Sequence, residues 1–111
     1  MKLVGVTACI SGVAHTYMAA ELLEKSAKKA GYKIQVETQG ALGAENAIEQ
    51  ASIDEADVAF IIADINIEGV ERFAQSRLIK MSISDFLRNP ELAMSAIERA
   101  KRAPAGTVIN V

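Results

Sequence analysis

Hydrophobic and polar positions along this 111-residue chain switch repeatedly between a strand-like and a helix-like period. Leu3-Val4-Gly5-Val6-Thr7-Ala8 is an unbroken run of small and β-branched residues, which predicts a strand covered on both faces. From Thr16 to Ala30 the spacing becomes helical. Ala19, Leu22, Leu23, Ala27 and Ala30 share one face, Glu21, Glu24, Lys25, Lys28 and Lys29 the other, and Gly31 supplies the stop. Lys33 to Thr38 alternates polar and apolar residues, as a half-exposed edge strand does. A loop over Gln39-Gly40-Ala41-Leu42-Gly43 and a helix from Asn46 to Ala56 are expected next. Val58 to Ala63, the most hydrophobic run, predicts another doubly buried strand, ended by Asp64. Gly69 to Gln75 reads as a short helical turn and Arg77 to Ile83 as a fourth strand. Asn89 then caps a last helix with Pro90 at its first position, and Leu92, Ala96, Ile97 and Ala100 form its apolar stripe, ending near Arg102. Pro104 to Val111 loses the helical pattern, so residues 1–103 are expected to form the folded unit and 104–111 a linker or tail.

Strands alternating with helices at this spacing imply right-handed βαβ crossovers. The expected fold is α/β and Rossmann-like: a four-stranded parallel sheet with helices on both faces. In such sheets ligands bind beyond the carboxyl ends of the strands, where the strand order reverses. With the order 2-1-3-4 that point falls between the first and third strands, which end at Cys9 and Asp64.

Composition narrows the chemistry. Half of the residues are hydrophobic and the formal net charge is −2, which argues for a packed globular domain and against nonspecific nucleic-acid binding. The longest charge-free stretch, Leu3 to Ala20, is interrupted by Gly5, Gly12, His15 and several hydroxyls, so no membrane insertion is expected. One cysteine excludes an intramolecular disulfide and a cysteine-based zinc site, and fits a reducing, cytoplasmic setting. No metal or other cofactor is implied.

Cys9-Ile10-Ser11-Gly12-Val13-Ala14-His15-Thr16 joins the buried first strand to the first helix. A tight loop there turns successive backbone N–H groups inward, Gly12 permits the turn, and Ser11 and Thr16 add hydroxyl donors. The same dipoles favour a thiolate at Cys9. No Gly-x-x-x-x-Gly-Lys-Ser/Thr or Gly-x-Gly-x-x-Gly motif is present, so the anion is not expected to be a nucleotide. A cysteine followed by five residues and an arginine would mark a phosphatase loop, but the sixth position here is His15. Imidazole lacks the planar two-pronged donor of guanidinium, which favours relay of a phosphoryl group over its hydrolysis. A phosphatase-like enzyme, a redox or regulatory cysteine protein, and a cysteine that merely fills the core remain the alternatives at this level.

Thr7 to Glu21 resembles the active-site segment of the fructose-type enzyme IIB domains of the bacterial phosphoenolpyruvate-dependent sugar phosphotransferase system. The likeness continues at Glu37-Thr38-Gln39-Gly40, Ala63-Asp64-Ile65 and Glu71-Arg72-Phe73. It implies that Cys9 takes a phosphoryl group from a phosphohistidine on a IIA domain and gives it to a sugar, fructose or a relative, entering through a membrane IIC domain. It also implies that Ile10 to Thr16 cradle that group, and a cytoplasmic location at the inner membrane face through IIC. The family commonly has Pro-Thr after the cysteine where this chain has Ile10-Ser11, which keeps a hydroxyl and gains a backbone N–H. Tyr17, Met18, Thr38, Gln39 and Asp64 are expected at the rim of the site.

Overall fold

In the computed structural model, which describes residues 1–9, 13–40 and 43–111, with Val13 described by its backbone, the chain builds a six-stranded sheet. The strands are β1 (Lys2–Ala8), β2 (Lys33–Gly40), β3 (Gly43–Glu45), β4 (Val58–Ala63), β5 (Leu78–Met81) and β6 (Val108–Asn110), ordered β3-β2-β1-β4-β5-β6. The four central strands run in the expected order and are parallel. Two corrections apply at the edges. β3 pairs antiparallel with β2, so the sheet is mixed and β2 is not an edge. β6 pairs parallel with β5 inside the stretch expected as a linker or tail, where Leu78 N–H donates to Thr107 O and Val111 N–H to Lys80 O.

The helices are α1 (Val13–Lys29), α2 (Gln50–Glu55), α3 (Ile83–Arg88), α4 (Glu91–Ser95) and α5 (Ile97–Arg102), with a 3-10 turn over Val70–Phe73. Successive strand residues point to opposite faces, and this divides the core in two. Leu3, Val58, Phe60, Ile62, Ile79 and Met81 pack with Ala19, Leu23 and Ala27 of α1, Phe86 of α3, Ala93 of α4 and Ile97 and Ala100 of α5. On the other face Val4, Val6, Ala8, Ala59, Ile61 and Leu78 meet Ile53 of α2 and Phe73 of the 3-10 turn. Gly5 lets α1 lie close over β1: a Cβ there would stand 2.7 Å from Leu23 Cδ2. Gly31, at φ 85°, ends α1 while Tyr32 N–H reaches back to Ala27 O at 2.9 Å.

Other boundaries differ from the periodicity for local reasons. The helix expected from Asn46 starts at Gln50, because Asn46 sits at φ 55° and Ile48 N–H is drawn to the buried Glu37 carboxylate. The fourth strand stops at Met81, where Ser82 Oγ accepts Asp85 N–H and caps α3. Asn89 closes α3 and Pro90 caps α4, and the last helix divides at Ala96 into α4 and α5, leaving Leu92 exposed rather than in the stripe.

Candidate functional site

Cys9 immediately follows β1, the central strand held by β2 on one side and β4 on the other, and is 7% exposed. Asp64 immediately follows β4. Ala8 pairs with Ala63 and Asp64 N–H donates to Ala8 O at 3.2 Å, so the two strand ends are level and their next residues meet. Cys9 Sγ donates to Asp64 Oδ2 at 3.6 Å, while Asp64 Oδ1 accepts Ile83 N–H at 3.1 Å from the start of α3. This juxtaposition lies at the expected reversal of strand order.

Of the expected cradle, Ile10, Ser11 and Gly12 lie outside the described residues. Val13, Ala14, His15 and Thr16 belong to the first turn of α1, which begins three residues before the apolar periodicity does. Ala14 and His15 are exposed. Thr16 is buried: its carbonyl accepts Thr7 Oγ1 at 3.1 Å, and its own Oγ1 has no hydrogen-bond partner among the described residues. A buried hydroxyl left unpaired costs free energy.

The rim expectations divide. Met18 is 54% exposed and Tyr17 42%, and Tyr17 O–H donates to Glu45 Oε1 at 2.6 Å, tying the start of α1 to β3. That bond, with the negative charge it brings, raises the phenol above its ordinary value. Asp64 is exposed beside the thiol. Thr38 and Gln39, by contrast, are buried.

Gln39 instead belongs to a polar network on the far face of β2. Its Nε2 donates to Glu37 Oε2 at 2.7 Å and Glu68 O at 2.9 Å, and its Oε1 accepts Glu68 N–H at 2.8 Å. Arg72 forks onto Glu37, Nη1 to Oε1 at 2.8 Å and Nη2 to Oε2 at 3.0 Å, and reaches the carbonyls of Gly69, Ile48 and Glu68. Burial alone would raise the Glu37 pKa. The hydrogen bonds from Arg72, Gln39 and Ile48 N–H, with the guanidinium charge, outweigh it and hold the carboxyl below its ordinary value. Arg72 is raised in turn, chiefly by Glu37. The network pins residues 44–49 and 66–73 to the sheet. Its sequence signal was slight, because Glu37 occupies a regular polar position of an alternating strand and its partner lies 35 residues away.

This α/β sheet, with a cysteine and an aspartate level at its switch point, is the arrangement against which comparison with known proteins is set. The model of the family described as "PTS system, Lactose/Cellobiose specific IIB subunit" matches residues 4–96, and the chain belongs to this family of phosphotransferase-system IIB components. It is 51% identical over 105 residues to the "PTS system fructose-like EIIB component 3" of Escherichia coli K12, covering 95% of this chain and 93% of that one. A "PTS system fructose-specific EIIB'BC component" of Xanthomonas campestris is 41% identical over 100 residues, 89% of this chain and 17% of that longer one. Among solved structures, a predicted fructose-specific IIB from Escherichia coli superposes with a TM-score of 0.93 at 49% identity, covering 99% of this chain and 97% of the other. A domain of the fructose-specific IIABC component of Borrelia burgdorferi gives 0.83 at 42% identity, over 94% and 96%. Among the described residues no helix is long and apolar enough to cross a membrane.

Proposed function

We propose that the chain is a phosphoryl relay in which Cys9 takes a phosphoryl group from a phosphohistidine on a IIA domain and passes it to fructose or a related sugar entering through a membrane IIC domain. The observation that carries this reading is the place of Cys9. The chain's one cysteine immediately follows the central strand β1 at the switch point, in a chain whose relatives are fructose-like IIB components. Phosphoryl transfer asks mainly for positioning and for donors to the equatorial oxygens. The first-turn backbone of α1 and the Thr16 hydroxyl, unpaired among the described residues, are suited to supply them, and the reading assigns Ile10 to His15 to the same cradle. His15 in place of a guanidinium favours passing the group on over losing it to water. The fructose-specific EIIB'BC relatives, far longer than this chain, support a IIC partner and with it a working place at the cytoplasmic face of the inner membrane. Met18 and Tyr17, exposed at the start of α1, offer the IIA domain a docking rim.

The test is incubation with the phosphorylated IIA domain of a fructose-type system, followed by peptide mass spectrometry. Phosphate is expected on Cys9, none on the Cys9→Ser variant, and transfer onward only when IIC-containing membranes and sugar are added. Phosphate on His15, or none on the wild-type chain, overturns the relay.

A further inference from the structure

Resting on that relay reading, we infer that Asp64 is the general base of the first transfer, taking the thiol proton of Cys9 as the phosphorus–sulfur bond forms. A base must lie within hydrogen-bond reach of its proton, and Oδ2 already accepts from Sγ at 3.6 Å. The carboxylate is held in that orientation by backbone from three elements. Ile83 N–H binds Oδ1, Asp64 N–H binds Ala8 O, and the level pairing of β1 with β4 sets the separation of their ends. Oδ1 is thus committed to positioning, and Oδ2 faces the nucleophile. Among the described residues, Lys80 of β5 is the other charged side chain lining the groove at Asp64, and Cys9 is the titratable group in contact with Asp64.

The donor arrives as an N-phosphorylated imidazole whose second ring nitrogen is protonated. The phosphorus–nitrogen bond breaks with its electron pair going to the ring, which leaves as neutral imidazole. The S–H pair becomes the new S–P bond and the thiol proton moves to Oδ2. The resulting neutral carboxylic acid stands beside the phosphoryl dianion as a donor, whereas an unprotonated carboxylate at that distance would repel it.

Single-turnover transfer from the phosphorylated IIA domain, followed across pH for wild type, Asp64→Asn and Asp64→Glu, tests the assignment. Asparagine keeps an oxygen for Ile83 N–H but cannot take the proton, so transfer at neutral pH should slow about a hundredfold. The deficit should shrink as the pH rises and hydroxide removes the thiol proton instead. Glutamate should restore much of the rate with an altered pH profile, and it decides the matter if the asparagine variant fails to fold. A wild-type rate in Asp64→Asn, or a deficit equal at every pH, overturns the role of Asp64 while leaving the relay intact. A wild-type chain that accepts no phosphoryl group overturns both.

Discussion

Glu37 and Asp64 are carboxylates toward the carboxyl ends of the two strands that flank β1, and they are held in opposite ways. Glu37 is enclosed and accepts four hydrogen bonds, from both Arg72 nitrogens, Gln39 and the Ile48 backbone. Asp64 is exposed and accepts one short bond from Ile83 N–H and one long one from the thiol. A buried carboxylate with every lone pair engaged has no capacity left for chemistry and serves to fasten two loops. An accessible one with an oxygen turned to a sulfur can exchange a proton. The Thr16 hydroxyl of α1, on the face of the sheet that α1 and α3 cover, has no partner among the described residues and leaves that side unfinished, while the Glu37 side is complete.

Breaking the complete side should produce the largest loss of stability. Arg72→Ala leaves the Glu37 carboxylate buried without its counter-charge and should cost about 3–5 kcal/mol in denaturant unfolding. Adding Glu37→Gln should recover part of that loss, because the glutamine oxygen can still accept Ile48 N–H and no charge is left buried. Equal stability of the single and double variants would mean that the pair acts only through shape.

The same pair predicts an acid limit. Glu37 has a lower pKa folded than unfolded, so its contribution is fully present above the ordinary carboxylate value of 4.5 and drains away as the pH falls through the lower folded value. The unfolding midpoint of wild type should therefore fall more steeply below that pH than the midpoint of Glu37→Gln. Parallel curves would remove the ion pair from the account of acid stability.

The comparison also explains which parts of the molecule were legible in the sequence. Val58 to Ala63 and Leu3 to Ala8 announce buried parallel strands by composition alone, and the ends of those strands place Cys9 beside Asp64. Gln39 and Glu37 carry no such announcement: at a solvent-facing edge their alternation would look the same. What buries them is β3, a three-residue strand added outside β2, and Arg72 arriving from a distant turn. β6 was hidden for a related reason, since Val108–Asn110 is too short for its pattern to stand apart from a tail until β5 offers it an edge. Tertiary pairing decides such short elements, and local propensity does not.

On the unfinished side, effects should appear in rate while the fold is preserved. Met18→Asp puts a charge on an exposed rim position, so stability should change little, whereas phosphorylation by the IIA domain should slow by about tenfold or more as an unpaired charge is desolvated at the contact. Alkylation of Cys9 by a small reagent should keep its wild-type rate. If alkylation falls as well, Met18 shapes the loop and is not part of a docking rim.

The smallest effect belongs to the tether between the two sides, the bond from Tyr17 O–H to Glu45 Oε1. It joins α1, near its start, to β3, which pairs with the strand that carries the Glu37 network. Its donor is well exposed, so its loss should leave the unfolding midpoint where it was. Its signature should be spectroscopic. Glu45 holds the Tyr17 phenol above 10.0 by accepting its proton and repelling the phenolate, so Glu45→Gln should bring that titration back toward the ordinary value. The chain has two tyrosines, and subtracting the ultraviolet titration of Tyr17→Phe assigns the signal, leaving Tyr32 as the common background. An unchanged phenol titration in Glu45→Gln would show that the two residues do not meet in solution and that β3 moves independently of the start of α1. A lowered phenol accompanied by a changed rate of Cys9 phosphorylation would instead make this tether the route by which the complete side of the sheet holds the reactive side in place.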